Sequence, residues 1–204
     1  MANLLTLSRI LLLPVAAWLF YLEDPIWHVA NACLIALIFL SDGLDGYVAR
    51  KRNQTSLFGA LFDIAGDRAV ELVLWVVAAD NGLVPIWVTI VFVIRGVVVD
   101  TLRSSGSAAQ GETPFALMRT RAGKALVAGR GIRGFYAVIK AVAFCGLALL
   151  PAWPALLPGQ EALIAVLAWL TYAAVYIAVT LCVLRGAPVI AEFAVAQFRA
   201  GKKQ

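Results

Sequence analysis

The stretch SDGLDGYVARKRNQTSLFGALFDIAGDR, residues 41–68, sets four aspartates between long runs of Leu, Ile, Val and Phe. Asp42 and Asp45 are three apart and Asp63 and Asp67 four apart, spacings that put each pair on one helix face. Four clustered carboxylates repel one another unless a cation lies among them. Hard oxygen donors with no His or Cys nearby select Mg2+, Mn2+ or Ca2+ over zinc. Two divalent ions suit four acidic ligands, and such a pair serves phosphoryl chemistry by clamping the attacking and leaving oxygens. Gly46, Ala49 and Gly59 leave clearance for a ligand, and Arg50 carries the planar fork that fits a phosphate. The plainer alternative is helix capping and ion pairing, with Arg50 or Arg68 as partners. It suits one pair of aspartates better than two. Arg68 and Glu71, three apart, read as a structural pair.

The elements that must position these residues belong in a membrane. The 204-residue chain is 62% hydrophobic and 14% charged, with a mean hydropathy of +0.88. A bilayer span needs about 20 predominantly apolar residues. Six blocks of that order are present, at about 4–22, 29–49, 57–79, 83–102, 133–151 and 161–184. Lipid offers the backbone no hydrogen-bond partner, so each block is expected to be a helix. The expected architecture is an all-α integral membrane protein, a six-transmembrane-helix bundle forming a single domain over 1–204. A carboxylate at bilayer depth costs about 2.5–3.5 kcal/mol, which again favours a solvated or cation-filled site for the aspartates.

Charge placement orients the bundle. Arg50, Lys51 and Arg52 follow the second block, and Arg103, Arg119, Arg121, Lys124, Arg130 and Arg133 follow the fourth. Arg185, Arg199, Lys202 and Lys203 follow the last, so thirteen of the 17 Lys and Arg lie on one side. The opposite connections hold only Glu23, Asp24, Asp80 and the adjoining Glu161. The positive-inside rule then makes both termini cytoplasmic. The net charge of +5 is a property of that face and of its contact with anionic lipid headgroups. No soluble module is available to bind nucleic acid. The expected location is a bacterial inner membrane, with the aspartates facing the cytoplasm. Met1-Ala2-Asn3 lacks a basic n-region, so no signal peptide is expected. Cys33, Cys145 and Cys182 stand singly and read as packing residues.

Several local readings follow. Arg9 interrupts an apolar run, which predicts an interfacial N-terminal helical turn with its guanidinium snorkelling to the headgroups. Pro14 is expected to kink that segment or to start the true span. Asn3 and Thr6 are candidate helix caps. His28, the only histidine, is expected at the far interface. Residues 104–134 read as a cytoplasmic loop with a short helix around 114–127, and Trp153, Pro154 and Pro158 as an outer interfacial turn. The tail is expected along the inner surface.

The spacing D-x2-D-G-x2-A-R-x8-G-x3-D-x3-D, met by Asp42, Asp45, Gly46, Ala49, Arg50, Gly59, Asp63 and Asp67, resembles the signature of the CDP-alcohol phosphotransferases. The resemblance implies a six-helix membrane bundle with a cytoplasm-facing site. It implies that Asp42, Asp45, Asp63 and Asp67 hold two divalent cations, Mg2+ or Mn2+, with Asp67 also the general base. Gly46, Ala49 and Arg50 would line the site for the CDP moiety, with Ser56, or Thr55, in the following loop. Asn3 and Thr6 would also contact the CDP-lipid. The implied reaction is attack of an alcohol on the lipid-proximal phosphorus of CDP-diacylglycerol with loss of CMP. A homodimer is carried over in the same way.

The signature reads the donor, so the acceptor must be read from about 95–140. Arg95 sits deep in the fourth block. Arg133, Tyr136 and Lys140 recur at i, i+3 and i+7, one stripe entering the fifth block. With Arg119, Arg121, Lys124 and Arg130 they favour an anionic alcohol such as glycerol 3-phosphate. LLTLSRILLLPV, RKRNQTSLFGALFD and the Arg95 segment are most similar to the phosphatidylglycerophosphate synthase branch. Departures are Gly96 after the arginine and DIAGD around the last two aspartates. Phosphatidylglycerol, as in cardiolipin synthesis, and inositol phosphate stay open as acceptors. A cation transporter with a carboxylate site is the alternative from another class.

Overall fold

A computed structural model describes residues 2–52, 57–110 and 129–201; side chains are described except at 2–5, 42–52, 57–58, 60, 103–110, 130, 192 and 194–201. The described residues form helices and no strand. They are α1 Ala2–Leu19, α2 Pro25–Arg52, α3 Leu57–Asp80, α4 Ile86–Gln110, α5 Arg130–Leu149, α6 Trp153–Leu156 and α7 Glu161–Gly201.

Local sequence explains the boundaries. The Ile26 N–H donates to Asp24 Oδ1 at 2.9 Å, so Asp24 caps α2 and Pro25 occupies the first helical position, where no N–H is needed. Gly82 turns the chain between α3 and α4 at φ 68°, and Gly159 precedes α7 at φ 77°, a region that disfavours side chains. α1 runs as one helix from Ala2 through Pro14 to Leu19. α4 continues to Gln110, into the expected loop, and α7 continues through Pro188 to Gly201, past the expected end of the last block. The expected helix around 114–127 lies outside the described residues. Trp153–Leu156 is a single helical turn where an interfacial turn was expected.

Six helices pack as a closed ring in the order α1, α3, α4, α7, α5, α2, returning to α1. Aromatic side chains fill its middle: Trp75 of α3 lies 4.6 Å from Phe92 of α4 and 4.5 Å from Phe144 of α5, centroid to centroid. All three rings are fully buried with Leu74, Ile35, Ile38 and Leu147. Small residues let helices approach closely, as expected where packing and not water drives association. A Cβ on Gly66 would lie 2.6 Å from Thr6 Cγ2, and one on Gly146 would lie 2.6 Å from Thr171 Oγ1.

The exterior is apolar. Leu7, Leu11, Val15 and Trp18 line the outer face of α1, and Ile86, Ile90, Ile94 and Val97 that of α4. Gly131–Leu149 and Glu161–Ala191 are long and apolar enough to cross a membrane, and Thr6–Leu19 and Pro25–Ser41 are shorter apolar helices. An apolar surface of this extent is that of a membrane protein.

Candidate active site

Two ends of the ring are distinguishable. Thr6 meets Asp63 at one end, and Tyr21 Oη donates to Asp80 Oδ2 at 2.6 Å at the other, so α1 and α3 run parallel. The first turns of α1 and α3 therefore share one end. The last turns of α2, which stop only a few residues before Leu57, share it too.

At that end α3 presents Asp63 and Asp67, successive on one face. Both carboxylates are held by one guanidinium. Arg9 Nη2 donates to Asp63 Oδ1 and Arg9 Nη1 to Asp67 Oδ1, each at 2.8 Å. Thr6 Oγ1 adds a 3.3 Å bond to the same Asp63 oxygen. Arg9 is 3% exposed, whereas the two aspartates are 47% and 46% exposed. The cation lies beneath the carboxylates and their other side is open. This corrects the expectation for Arg9. It does not snorkel to the headgroups, because two ionised partners one turn apart on α3 satisfy its fork inside the bundle. The sequence carried one sign of this: an arginine within an apolar block needs a partner there. His28 lies in the first turn of α2, at the end of the ring away from the aspartates as expected, and its side chain is buried there.

One turn further along α3 the acidic stripe changes neighbour. Glu71, 3% exposed, accepts from Lys140 Nζ at 2.9 Å, from Tyr136 Oη at 3.3 Å and from Arg68 Nη1 at 2.5 Å. Arg68 Nε also donates to Asp100 Oδ2 of α4 at 2.6 Å. The expected Arg68–Glu71 pair thus forms, within a larger network joining α3, α4 and α5. Lys140 Nζ lies 4.6 Å from the Tyr136 ring centroid, and the Arg185 guanidinium carbon 5.1 Å from it on the α7 side.

Arg95 is 8% exposed, and its Nε is buried with no hydrogen-bond partner among the described residues. It lies within electrostatic reach of Glu71 and Arg185. A Cβ on Gly186 would sit 2.9 Å from Arg95 Cγ, so α7 is pressed against this side chain. Arg133 lies on the first turns of α5 and is exposed. Around Glu71 and Asp100 the described residues bring Arg68, Arg95, Lys140 and Arg185 together, leaving an excess of positive charge. Glu71, Asp100 and Arg185 were not singled out from sequence as members of such a site. An apolar recess of about 220 Å³ opens between α5 and α7 beside Arg185, lined by Phe135, Leu181 and Leu184. Its lining suits an acyl chain and not a polar acceptor.

The remaining expected site residues are placed by backbone alone or not at all. Asp42, Asp45, Gly46, Ala49 and Arg50 lie on the last turns of α2, Asn3 on the first turn of α1 and Arg130 at the start of α5, with side chains outside the description. Gly59 lies in the first turn of α3. Ser56, Thr55, Arg119, Arg121 and Lys124 fall outside the described residues.

The family model for CDP-alcohol phosphatidyltransferase matches residues 1–184. The chain belongs to this family. Among curated relatives, a Pseudomonas fluorescens protein named CDP-diacylglycerol--glycerol-3-phosphate 3-phosphatidyltransferase is 38% identical over 107 residues, 50% of this chain and 53% of that one. Proteins of the same name from Wigglesworthia glossinidia brevipalpis and Rickettsia typhi are 32% and 39% identical, over 102 and 66 residues. These alignments cover 48% and 32% of this chain and 56% and 37% of the relatives. The chain thus spans about half the length, or less, of the curated relatives it matches.

Of the donors a divalent cation would take in a CDP-alcohol phosphatidyltransferase, the described side chains at the α3 end supply two. Asp63 and Asp67 supply hard oxygens on one face, and a guanidinium already bridges them as a cation. Among the described residues alone, no three acidic, His or Cys side chains form a metal cluster. The other two signature aspartates, on α2, have side chains outside the description.

Proposed function

We propose that this chain transfers the phosphatidyl group of CDP-diacylglycerol to glycerol 3-phosphate and releases CMP. The observation that carries the reading is the eight-residue signature from Asp42 to Asp67, inside a family match over residues 1–184. The names of the relatives support the same donor and acceptor.

In this mechanism Asp42, Asp45, Asp63 and Asp67 hold two divalent cations, Mg2+ or Mn2+. When bound, these supply positive charge beside the donor's pyrophosphate. Gly46, Ala49 and Gly59 keep side chains out of the space the CDP moiety needs, and Arg50, Ser56, Asn3 and Thr6 hold it. Asp67 takes the proton of the acceptor hydroxyl. That oxygen forms a bond to the lipid-proximal phosphorus, the phosphorus bond to the bridging oxygen breaks, and CMP carries the electron pair away. The acceptor's phosphate lies toward Arg95, Arg133, Arg119, Arg130 and Lys140, joined by Arg185. The excess positive charge around Glu71 supports an anionic acceptor. The protein spans a bacterial inner membrane six times with both termini and the site on the cytoplasmic side, as a homodimer.

The test is CMP release by purified protein in detergent with CDP-diacylglycerol and Mg2+ or Mn2+, across glycerol 3-phosphate, phosphatidylglycerol, inositol 1-phosphate, inositol and serine. Release with glycerol 3-phosphate is expected. Removal of a general base lowers kcat by about 10²–10⁴, so Asp67→Asn should do so while CDP-diacylglycerol still binds. Absence of release with every acceptor, alongside cation flux in vesicles, would replace the enzyme by a transporter.

A further inference from the structure

Arg9 lies on the first helix, outside the signature, yet it donates to both Asp63 and Asp67 at 2.8 Å. Its fork divides evenly, one nitrogen to each carboxylate, both at 2.8 Å and both to Oδ1. It is almost fully buried, while the carboxylates it holds are half open on their far side. Thr6, one turn before it, bonds to Asp63 and packs against the Gly66 position, so α1 is seated at this point and the guanidinium is fixed relative to α3. A built-in charge of +1 thus lies against the two carboxylates to which the proposed reaction assigns a charge of +2.

We propose that Arg9 is a positioning residue of the carboxylate site: it bridges Asp63 and Asp67 from the buried side, and a divalent cation at their open side binds against its charge. This rests on the reading that these aspartates are metal ligands. Two effects oppose each other when Arg9 is removed. The carboxylates lose an organiser, which weakens cation binding. They also lose a fixed positive charge within hydrogen-bond reach, which strengthens it. Asp side chains are short and stand on one rigid helix, so little order is lost, and like-charge repulsion in a partly buried site is large. The second effect wins. Arg9 therefore steadies the carboxylate pair and sets the cation level at which the site fills.

The experiment is Mn2+ binding to full-length protein in detergent, followed by electron paramagnetic resonance of free Mn2+, with thermal unfolding in EDTA measured in parallel. Arg9→Gln keeps a hydrogen-bonding side chain and removes the charge. It should bind Mn2+ at least tenfold more tightly than the unaltered protein and unfold at a lower temperature in EDTA. Arg9→Lys keeps the charge but cannot fork onto both carboxylates, and should bind two- to fivefold more tightly. If Arg9→Gln does not fold, Arg9→Lys carries the test. Equal or weaker Mn2+ binding in the folded variant would overturn the proposal while leaving the metal reading in place. A merely structural arginine gives that result. No Mn2+ binding by the unaltered protein would overturn the metal reading, and the proposal with it.

Discussion

Thirteen of the 17 Lys and Arg lie in the connections and the tail; the other four, Arg9, Arg68, Arg95 and Lys140, lie inside the apolar blocks. Each of three reaches an acid: Arg9 the pair Asp63 and Asp67, Arg68 both Glu71 and Asp100, and Lys140 Glu71. Arg95 forms no ion pair among the described residues, and its Nε, like that of Arg9, is buried without a hydrogen-bond partner there, which is costly. An anionic ligand that satisfied it would be bound with corresponding strength. Arg95→Gln is therefore expected to raise KM for glycerol 3-phosphate about tenfold or more, the loss of one charged hydrogen bond of about 1.5–3 kcal/mol. KM for CDP-diacylglycerol should stay within about twofold. Steady-state CMP release with each substrate varied in turn checks this, and a rise confined to the donor would assign Arg95 to the other pocket. The aspartate site was legible as residues because its spacing is local. Its partner Arg9 was not, since it is 54 and 58 positions away from them and only the packing of α1 on α3 brings it there.

At the level of helices, apolar blocks locate elements well and end them poorly. α4 runs on through 103–110 and α7 through 185–201, because a backbone ladder does not stop where hydropathy falls. The seam between α1 and α3 depends on Gly66, where a Cβ would lie 2.6 Å from buried Thr6 Cγ2. Overpacking of this kind costs about 1–3 kcal/mol. Gly66→Ala should accordingly lower the unfolding temperature in detergent and weaken the hold of α1 on the aspartates. Gly96→Ala, whose nearest neighbour would be Arg68 Cδ at 3.9 Å, should leave stability unchanged and serves as the control. Equal unfolding temperatures for the two variants would mean that α1 shifts freely against α3.

For the whole molecule, the ring of six helices with an apolar outside and a polar cluster at one end makes a definite topology testable. Alkaline phosphatase inserted at Asn81–Gly82 should be active, and a fluorescent protein fused after Gln204 should fluoresce from the cytoplasm. The reverse pattern would place the aspartates on the outer side. One geometrical feature also constrains what the molecule can accept. Asp63, Asp67 and Glu71 stand four apart on α3, and each step turns the stripe by about 40° and advances it by about 6 Å. The stripe therefore passes from the α1 seam to the α5 seam along a single rigid rod. On the proposed mechanism, with proton removal at Asp67 and the acceptor's anion held by the basic side chains around Glu71, α3 would act as a ruler. It would favour an alcohol whose hydroxyl and anionic group lie about one helical turn apart. One that is shorter or longer would reach only one mark at a time.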